Sequence, residues 1–365
     1  MKIVCTLENL KFGLLTAGRI ISPSNTLPIL SNLLLKTENG QLKISATNLE
    51  IAITTTVRCK IEQEGEVCLP AKTLIELVNT LPDQNILLET EPNAVLIETE
   101  NYTTKIKSLP GGEFPLIPNV DTKYALEFEP KQLKQAIEQV IFAASKNESQ
   151  PEISGVFMQQ TGETVKLVAT DRYRLAEKSI VAKREKNEQQ VIFPHRAVVE
   201  AVRLLSSLEG NPAEINLGEN QAVIKIGETQ IITRLIDGQY PDYKQIIPQQ
   251  FNTTINLVRQ ELVNALKTSG IFSHSTGSVT FNFKPKQNLV VSSSSNDLGE
   301  SRVELSSHTE GESGSIILNY RYILDALNNM TGENVVMKIV NDEAPVILTE
   351  QTGQDYTYLI MPIKT

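Results

Sequence analysis

Three segments of the chain repeat one pattern at nearly constant spacing, and this repetition constrains the fold more than any other feature. They begin at Val67, Val191 and Ile316 and read VCLPAKTLIELVNTL, VIFPHRAVVEAVRLL and IILNYRYILDALNNM. Their starts are 124 and 125 residues apart. Each segment reads as a short apolar strand, a polar break and an amphipathic helix. The apolar and charged positions of this helix match among the three copies. Self-similarity of this kind predicts tandem copies of one structural unit.

A second helical pattern opens each repeat, and strand patterns follow it. The three copies are LENLKFGLLTAG from Leu7, PKQLKQAIEQVIFAAS from Pro130 and RQELVNALKTSG from Arg259. A small residue (Gly13, Ala136 or Ala265) lies between two apolar positions in each copy, which is typical of a closely packed helix. Turn signals such as Asn39-Gly40 separate the strands. We therefore predict an α+β chain of three similar domains, each with two helices plus antiparallel sheets.

The repeats set the expected domain limits at 1–120, 121–244 and 245–365. Each repeat is large enough to bury a core of its own. The joins at 111–123 and 237–250 are rich in Pro, Gly and Asp. Both contain an aromatic residue followed by proline, Phe114-Pro115 and Tyr240-Pro241, at the same repeat position. Since the residue before a proline favours extended backbone, these joins are predicted to be extended connectors.

The charge of the chain is unevenly distributed between the helices and the rest. The formal net charge is -9 and the sequence pI is about 5.1, which alone argues against nucleic-acid binding. The six predicted helices nevertheless carry 11 basic and 6 acidic residues, so they sum to +5 and the remainder to -14. This pattern favours helices that face phosphate on an otherwise acidic body. The alternative is that Lys and Arg simply prefer helices.

Several function classes lack their usual signatures in this sequence. The three cysteines (Cys5, Cys59 and Cys68) have neither disulfide nor zinc spacing, so reduced thiols are expected. The three histidines have no metal-ligand spacing, and no phosphate loop, dinucleotide fingerprint or nucleophile elbow is present. We expect no metal, no cofactor and no catalytic site. The absence of a signal peptide or long apolar run predicts a cytoplasmic protein without a membrane segment.

Five segments resemble motifs of one known family, in the family's order. They are MKIVCTLENL (1–10), TLPILSNLLL (26–35), VATDRYRLA (168–176), DGQYPDY (237–243) and YLIMPIKT (358–365). Over its whole length the chain resembles the bacterial DNA polymerase III beta subunits, the beta sliding clamps. The resemblance implies a head-to-tail homodimer that forms a six-domain ring, the DNA clamp fold. Such a ring encircles duplex DNA, confers processivity on the replicative polymerase and catalyses nothing.

The resemblance also implies the partners and where they bind. Duplex DNA would be contacted without sequence preference, and a second copy of the chain would close the ring. The alpha subunit of the replicative polymerase, the clamp loader, other polymerases, mismatch repair proteins and ligase would bind through short peptide motifs. Their shared site would be a hydrophobic cleft between the second and third domains. The implied location is the cytoplasm, in association with the nucleoid.

Site residues follow from matching family positions to this sequence. The implied cleft residues are Ile153, Thr170, Arg172, Tyr173, Arg174, Leu175, Pro241, Gln245, Ile246, Pro345, Val346, Leu359, Met361, Pro362 and Ile363. The implied dimer interface comprises Lys105, Ile106, Lys107 and Leu109 on one face, with Ile271 and Phe272 on the other. The implied DNA-binding positions are Ser24, Lys72, Arg196 and Arg203. Within the cleft, Arg174 is expected to orient a carbonyl or carboxylate of the bound peptide.

The positions implied for DNA contact depart from the family in two places. Ser24 stands where the family often has arginine, and Pro151 and Glu152 stand where well-known relatives have tyrosine. Two other functions stay open from the residues alone. One is an enzyme, although no candidate catalytic residue recurs at the same position in the three copies. The other is a repeat adaptor that binds peptides without encircling DNA.

Overall fold

A computed structural model describes residues 1–21, 27–82, 84–120, 124–147, 149–183, 187–352 and 355–364. Its helices are α1 Leu7–Ala17, α2 Ala71–Thr80, α3 Pro130–Ile141, α4 His195–Ser207, α5 Arg259–Ile271 and α6 Tyr320–Asn329. They coincide with the two helical patterns of each repeat, so the predicted helices and the α+β class are confirmed. Among the described residues, no helix is both long enough and apolar enough to cross a membrane.

Antiparallel strands form the rest of the regular structure. In the first third of the chain they are β1 Lys2–Thr6, β2 Asn32–Glu38, β3 Gln41–Thr47, β4 Ile51–Val57, β5 Lys60–Gln63, β6 Glu66–Pro70, β7 Asn85–Glu91, β8 Ala94–Glu98, β9 Thr103–Lys107 and β10 Leu109–Pro110. The central third contains β11 Tyr124–Phe128, β12 Gly155–Gly162, β13 Thr164–Thr170, β14 Arg174–Val181, β15 Asn187–Pro194, β16 Ala213–Leu217, β17 Gln221–Ile226 and β18 Thr229–Arg234. The last third contains β19 Thr253–Val258, β20 Ser278–Phe283, β21 Leu289–Ser295, β22 Gly299–Leu305, β23 Ser307–Gly311, β24 Gly314–Asn319, β25 Asn334–Ile339, β26 Val346–Glu350 and β27 Tyr356–Ile360.

The chain divides into two compact units that do not follow the repeat limits. Unit 1 comprises Met1–Lys131, Lys183–Glu185 and Val199–Leu235, and unit 2 comprises Gln132–Ala182, Lys186–Val198 and Ile236–Thr365. The second repeat therefore contributes strands to both units. Because the division by contacts differs from the division by repeats, the limits at 120/121 and 244/245 stay predictions.

Unit 1 contains two sheets and the helices of the first repeat. One sheet has the order β5-β1-β7-β8-β9, and the other has the order β10-β6-β2-β3-β4-β18-β17-β16-β11. Helix α1 packs on β3, β4 and α2. A Cβ at Gly13 would lie 2.7 Å from Ile44 Cδ1 and 2.8 Å from Val57 Cγ1. The small residue predicted at this position therefore permits close helix-to-sheet packing.

Unit 2 repeats this arrangement with the helices of the third repeat. Its sheets have the orders β15-β12-β13-β14-β27-β26-β25-β19-β23 and β22-β21-β20-β24. Helix α5 packs on β21, β22 and α6. In each nine-stranded sheet one strand pair joins neighbouring repeats. These pairs are β4 with β18 in unit 1 and β14 with β27 in unit 2.

The observed helix limits reduce the net positive charge carried by the helices. The helix predicted over 130–147 ends at Ile141, and tighter turns then close from Ala143 N to Val140 O and from Ala144 N to Ile141 O. Lys146 thus lies beyond α3, and Arg19 lies beyond α1. Within the observed limits the six helices carry nine basic and six acidic residues, a net charge of +3. The basic excess is smaller than the sequence pattern indicated, but its sign is unchanged.

Candidate functional site

A tight turn between β13 and β14 forms one rim of the candidate cleft in unit 2. The Thr170 hydroxyl donates to the Arg174 carbonyl oxygen (2.7 Å) and accepts from the Arg172 amide (3.1 Å). Asp171 Oδ1 accepts from the amides of Tyr173 and Arg174, both at 3.0 Å. Thr and Asp favour such turns because their short side chains bond to nearby backbone. The turn places Arg172 at φ 77°, and leaves the Arg172 and Tyr173 side chains exposed.

The Arg174 side chain is turned inward and each of its three nitrogens donates to a protein group. Its Nε donates to Asp171 Oδ2 (3.0 Å), Nη1 to Asp325 Oδ2 (2.5 Å) and Nη2 to the Phe142 carbonyl oxygen (2.8 Å). Its guanidinium also lies 4.5 Å from the centre of the Tyr322 ring. Burial lowers the pKa of Arg174, but the neighbouring Tyr358, Asp325 and Asp171 outweigh burial, and the net effect raises this pKa. Arg174 therefore holds the rim turn on α6, and the expectation that it also orients a bound peptide stays a prediction.

The end of the chain forms the adjoining part of the same surface. Strand β27 pairs with β14 so that Leu359 lies opposite Leu175. Beyond β27, the Met361 amide donates to the Tyr173 carbonyl oxygen (2.8 Å), and the Ile363 amide donates to the Ile317 carbonyl oxygen (2.8 Å). The terminal segment is thus fixed to the rim turn by backbone hydrogen bonds, which leaves the Met361 side chain half-buried at the surface.

An apolar cluster lies beneath this surface. Its buried members are Ile153, Phe157, Val168, Leu175, Ile192, Tyr240, Tyr243, Ile347 and Leu359, and its partly buried members are Ile236, Ile247, Phe251 and Met361. The Phe157 and Tyr240 rings stack at 4.5 Å, and the Tyr243 hydroxyl donates to Glu177 Oε2 (2.6 Å). Four residues expected in the cleft, Ile153, Leu175, Leu359 and Met361, therefore belong to one cluster.

The other expected cleft residues differ widely in exposure. Val346 is fully buried and pairs with Ile360 in the sheet, so it contributes to the core. Ile246 is 45% exposed, and Pro241 and Gln245 are exposed beside it on the connector, where Gln245 Nε2 donates to Asp242 Oδ2 at 2.8 Å. Pro345, Pro362 and Ile363 are half-buried. The predicted apolar residues that keep accessible surface are thus Tyr173, Pro241 and Ile246, and in part Pro345, Met361, Pro362 and Ile363.

Sequence reasoning missed the aromatic residues that support the cleft. Phe157 and Tyr243 pack against Tyr240, and Phe142 and Tyr322 contact Arg174. The repeated aromatic-proline pair at Tyr240 was a usable signal, because both connectors carry it. Phe142 and Tyr322 had no such signal, since their role depends on the inward rotamer of an arginine distant in sequence.

The first repeat contains the same turn and serves as an internal comparison. Thr47 Oγ1 donates to the Ile51 carbonyl oxygen (3.1 Å) and accepts from the Leu49 amide (3.0 Å), and Leu49 has φ 76°. The Arg234 amide donates to the Glu50 carbonyl oxygen (3.3 Å), as Met361 does to Tyr173. We call the paired strands β4–β18, with their turn, the first junction and β14–β27, with theirs, the second. The two junctions have the same backbone hydrogen bonds.

The side chains at the two junctions differ. Where unit 2 has Leu175 opposite Leu359, unit 1 has Ala52 opposite Ile232. The connector residues Ile117 and Val120 pack against Ala52, Val223 and Ile232 in unit 1. Arg234 occupies the position that corresponds to Met361. Connector residues pack on both junctions, Ile117 and Val120 on the first and Tyr240, Tyr243 and Ile247 on the second. The junctions differ in the residue that borders them, which is the charged Arg234 at the first and the apolar Met361 at the second.

Three of the four expected DNA-binding residues lie on helices. Lys72 on α2 and Arg196 and Arg203 on α4 are exposed. Ser24 lies outside the described residues. In unit 1 an open groove of about 570 Å³ is lined by Arg19, Val202, Arg203, Ser206 and Ser207. Basic side chains along such a groove suit the phosphates of a nucleic-acid backbone.

Two of the three acidic residues at the repeated helix position pair with bases other than their i,i+4 partners. Glu200 Oε1 accepts from Arg203 Nη1 (2.6 Å), and Asp325 pairs with Arg174. Among the described residues, neither Lys72 nor Arg196 forms an ion pair with its acidic i,i+4 partner. Lys72 and Arg196 therefore keep their charge available for an external anion.

The expected interface residues occupy two separate apolar features. In unit 1, Lys105, Ile106 and Lys107 of β9 help to line a pocket of about 380 Å³ that also includes Pro70, Thr73, Leu77 and Thr104. Ile106 is 7% exposed, and Leu109 on β10 is 40% exposed. In unit 2, Ile271 ends α5 with 65% of its surface exposed, and Phe272 follows it half-buried. An apolar residue this exposed suits burial in an interface.

The thiols and acidic groups offer no metal chemistry in the described part of the chain. No group of three or more His, Cys, Asp or Glu side chains is arranged there to hold a metal ion. Burial raises the pKa of Cys5 and Cys68 to about 12, so both stay protonated at neutral pH. Cys59 is partly exposed, and partial burial raises its pKa as well.

Comparisons with known proteins cover the whole chain. Three family models match in order: DNA polymerase III beta subunit, N-terminal domain (1–118), central domain (127–242) and C-terminal domain (244–364). A protein of Synechocystis named beta sliding clamp is 28% identical over 100% of this chain and 99% of its own length. The structure of DNA polymerase III beta subunit from Thermotoga maritima is 27% identical with a TM-score of 0.93, covering 100% of this chain and 99% of that one. A sliding clamp from Pseudomonas aeruginosa bound to griselimycin is 25% identical with a TM-score of 0.96, covering 100% of both chains.

Proposed function

Because the chain belongs to the DNA polymerase III beta subunit family and is a sliding clamp, we propose that the apolar surface at Met361 and Ile246 is its partner-binding cleft. The chain is a non-catalytic accessory subunit that confers processivity in DNA replication. Two chains form a ring around duplex DNA. The replicative polymerase and other partners are tethered to that ring through short peptide motifs.

The observation that carries the cleft assignment is the contrast between the two junctions within one chain. Both have the same turn and the same strand pairing, but the first is bordered by the charged Arg234, whereas the second is bordered by Met361, which packs against an apolar cluster and stays partly exposed. Apolar walls on a pre-formed backbone suit a short peptide because little ordering is required on binding. Methionine adapts its shape, which suits a site that exchanges several partners. Griselimycin bound to the Pseudomonas aeruginosa clamp supports capture of a small external ligand.

DNA contact is proposed for the helical bases Lys72, Arg196 and Arg203. They are exposed on α2 and α4, and the chain around them is acidic overall. Contacts of this kind are electrostatic and independent of DNA sequence, which sliding requires.

We also propose that Ile271 and Phe272 of one protomer pack against the pocket beside Ile106 of its partner. The location that follows is the cytoplasm, at the nucleoid, where the encircled DNA is found.

Retention on circular DNA tests the encirclement directly. The protein is assembled on nicked circular DNA by a bacterial clamp loader, separated from free protein by gel filtration, and the circle is then cut. We expect retention on the circle and rapid loss from the linear product. A peptide-binding adaptor that does not encircle DNA would show no difference between the two, and that result would contradict the proposal.

A triple variant, Lys72→Ala with Arg196→Ala and Arg203→Ala, tests the contacts separately from the topology. Binding to linear duplex at low salt should weaken, and the slope of log K against log salt should fall by about 0.9 for each lost phosphate contact. The matched control replaces three exposed lysines outside the helices by alanine: Lys60, Lys284 and Lys286. An equal loss in the control would contradict the assignment to the helices.

A further inference from the structure

Arg172, at the tip of the rim turn, has features that the fold does not require. The turn of the first repeat has the same hydrogen bonds and the same φ with Leu49 at the matching position. The backbone therefore accepts a neutral side chain there. Its φ of 77° is a conformation that residues other than Gly, Asn and Asp rarely adopt. Leu49 shares this conformation, so it belongs to the turn, and the feature that distinguishes Arg172 is its exposed positive charge beside the binding surface.

The Arg172 guanidinium is positioned but not neutralised. With the Gln150 carboxamide oriented so that its oxygen faces Arg172, that oxygen accepts from Nη2 at 2.9 Å and from Nη1 at 3.1 Å. No carboxylate among the described residues forms an ion pair with Arg172. Asp171, its neighbour in sequence, is engaged by Arg174 and by the backbone of the turn. The rim thus presents one oriented positive charge with free donors.

The position of Arg172 relative to the apolar cluster is set by the backbone on both sides. On one side, the Tyr173 carbonyl oxygen accepts from the Met361 amide at 2.8 Å. On the other, the Gln150 carbonyl oxygen accepts from the amide of Ile153, a buried member of the cluster. A peptide whose apolar residues occupy the surface at Met361 would therefore extend past Arg172 at the rim.

We propose that Arg172 is a specificity-determining residue that selects partner peptides with acidic residues flanking their apolar motif. This inference rests on the proposed peptide-binding role of the cleft. An oriented guanidinium recognises carboxylates by paired hydrogen bonds, and its charge also accelerates the encounter. The chain carries a net charge of -9, so its overall field disfavours acidic peptides. A preference for acidic flanks would thus have to come from a local feature.

A peptide series measures this selectivity by fluorescence anisotropy with the full-length protein. Three labelled peptides share the core Gln-Leu-Ser-Leu-Phe and carry Asp-Asp, Asn-Asn or Lys-Lys at both ends. We expect the acidic peptide to bind the wild type about 3- to 10-fold more tightly than the neutral one at low salt, with the difference lost at high salt. Arg172→Gln should remove the preference, and Arg172→Glu should reverse it in favour of the lysine peptide.

Two controls make the outcomes distinct. Arg58→Gln removes the same charge from an exposed position of unit 1 and should leave the preference intact. Met361→Ala should weaken all three peptides alike. Equal binding of the three peptides to the wild type, with the Met361 effect present, would overturn the role of Arg172 but leave the cleft in place. Failure of every peptide to bind the wild type, or binding insensitive to Met361, would overturn the cleft assignment and this inference together.

Discussion

Replacing Arg174 by methionine should destabilise unit 2 and weaken peptide binding at the same time. Arg174 is 7% exposed, and its loss removes hydrogen bonds to Asp171, Asp325 and the Phe142 carbonyl oxygen. Methionine retains most of the apolar stem, so the change isolates the charged head. The fate of the three acceptors then determines the magnitude.

The three acceptors differ in how much they lose. The Asp171 side chain is 17% exposed and would keep only its backbone donors, whereas the Asp325 side chain is 45% exposed and can be solvated. Removing one partner of a fully buried pair costs about 3–5 kcal/mol, and partial exposure moves the expected loss to the lower end, about 3 kcal/mol. Because the rim turn is held on α6 by this arginine, the Tyr173–Met361 contact should loosen and peptide affinity should fall.

Urea unfolding followed by circular dichroism, together with peptide titration, measures both effects. The matched control is Arg302→Met, whose ion pair with Glu304 is also short (2.9 Å) but has side chains 65% and 55% exposed. An exposed pair of this kind contributes about 0–1 kcal/mol. Equal unfolding midpoints for Arg174→Met and Arg302→Met would refute the structural role. A destabilised Arg174→Met that binds peptide with unchanged affinity would refute the link between the turn and the cleft.

Three further predictions concern the cleft, the ring and the thiols. Met361→Ala should weaken peptide binding by about 2 kcal/mol. Because Met361 is only partly buried, this variant should lower stability less than Leu175→Ala, which should cost about 2–5 kcal/mol in the core. The reverse pattern in titration and urea unfolding would contradict the assignment. Ile271→Ala with Phe272→Ala should give monomers in sedimentation velocity, and an unchanged dimer would refute the interface. Cys59 is partly exposed, whereas Cys5 and Cys68 are buried and burial raises the pKa of both to about 12, so iodoacetamide at pH 8 should alkylate Cys59 first. Mass spectrometry that finds a buried thiol modified earlier would contradict this order.

The sequence by itself determined the parts of this protein that depend on neighbouring residues. The period of the apolar positions located all six helices, and Asn39-Gly40 placed a hairpin whose residues have φ 51° and 75°. The repeat of 124 to 125 residues is enough to indicate the tandem architecture. Helix periodicity and turn chemistry are local properties, so one chain is enough to reveal them.

Only the tertiary structure decided which side chains act together at the site. Leu175 and Val346 had the composition of cleft walls but are fully buried, and Arg174 had the chemistry to hold a ligand but is bound to Asp325. The difference between the two equivalent junctions arises from a few side chains, such as Leu175 in place of its counterpart Ala52. The pairing of Leu175 with Leu359 and the ion pair of Arg174 with Asp325 join residues more than 100 positions apart, and local sequence patterns do not reveal such distant contacts.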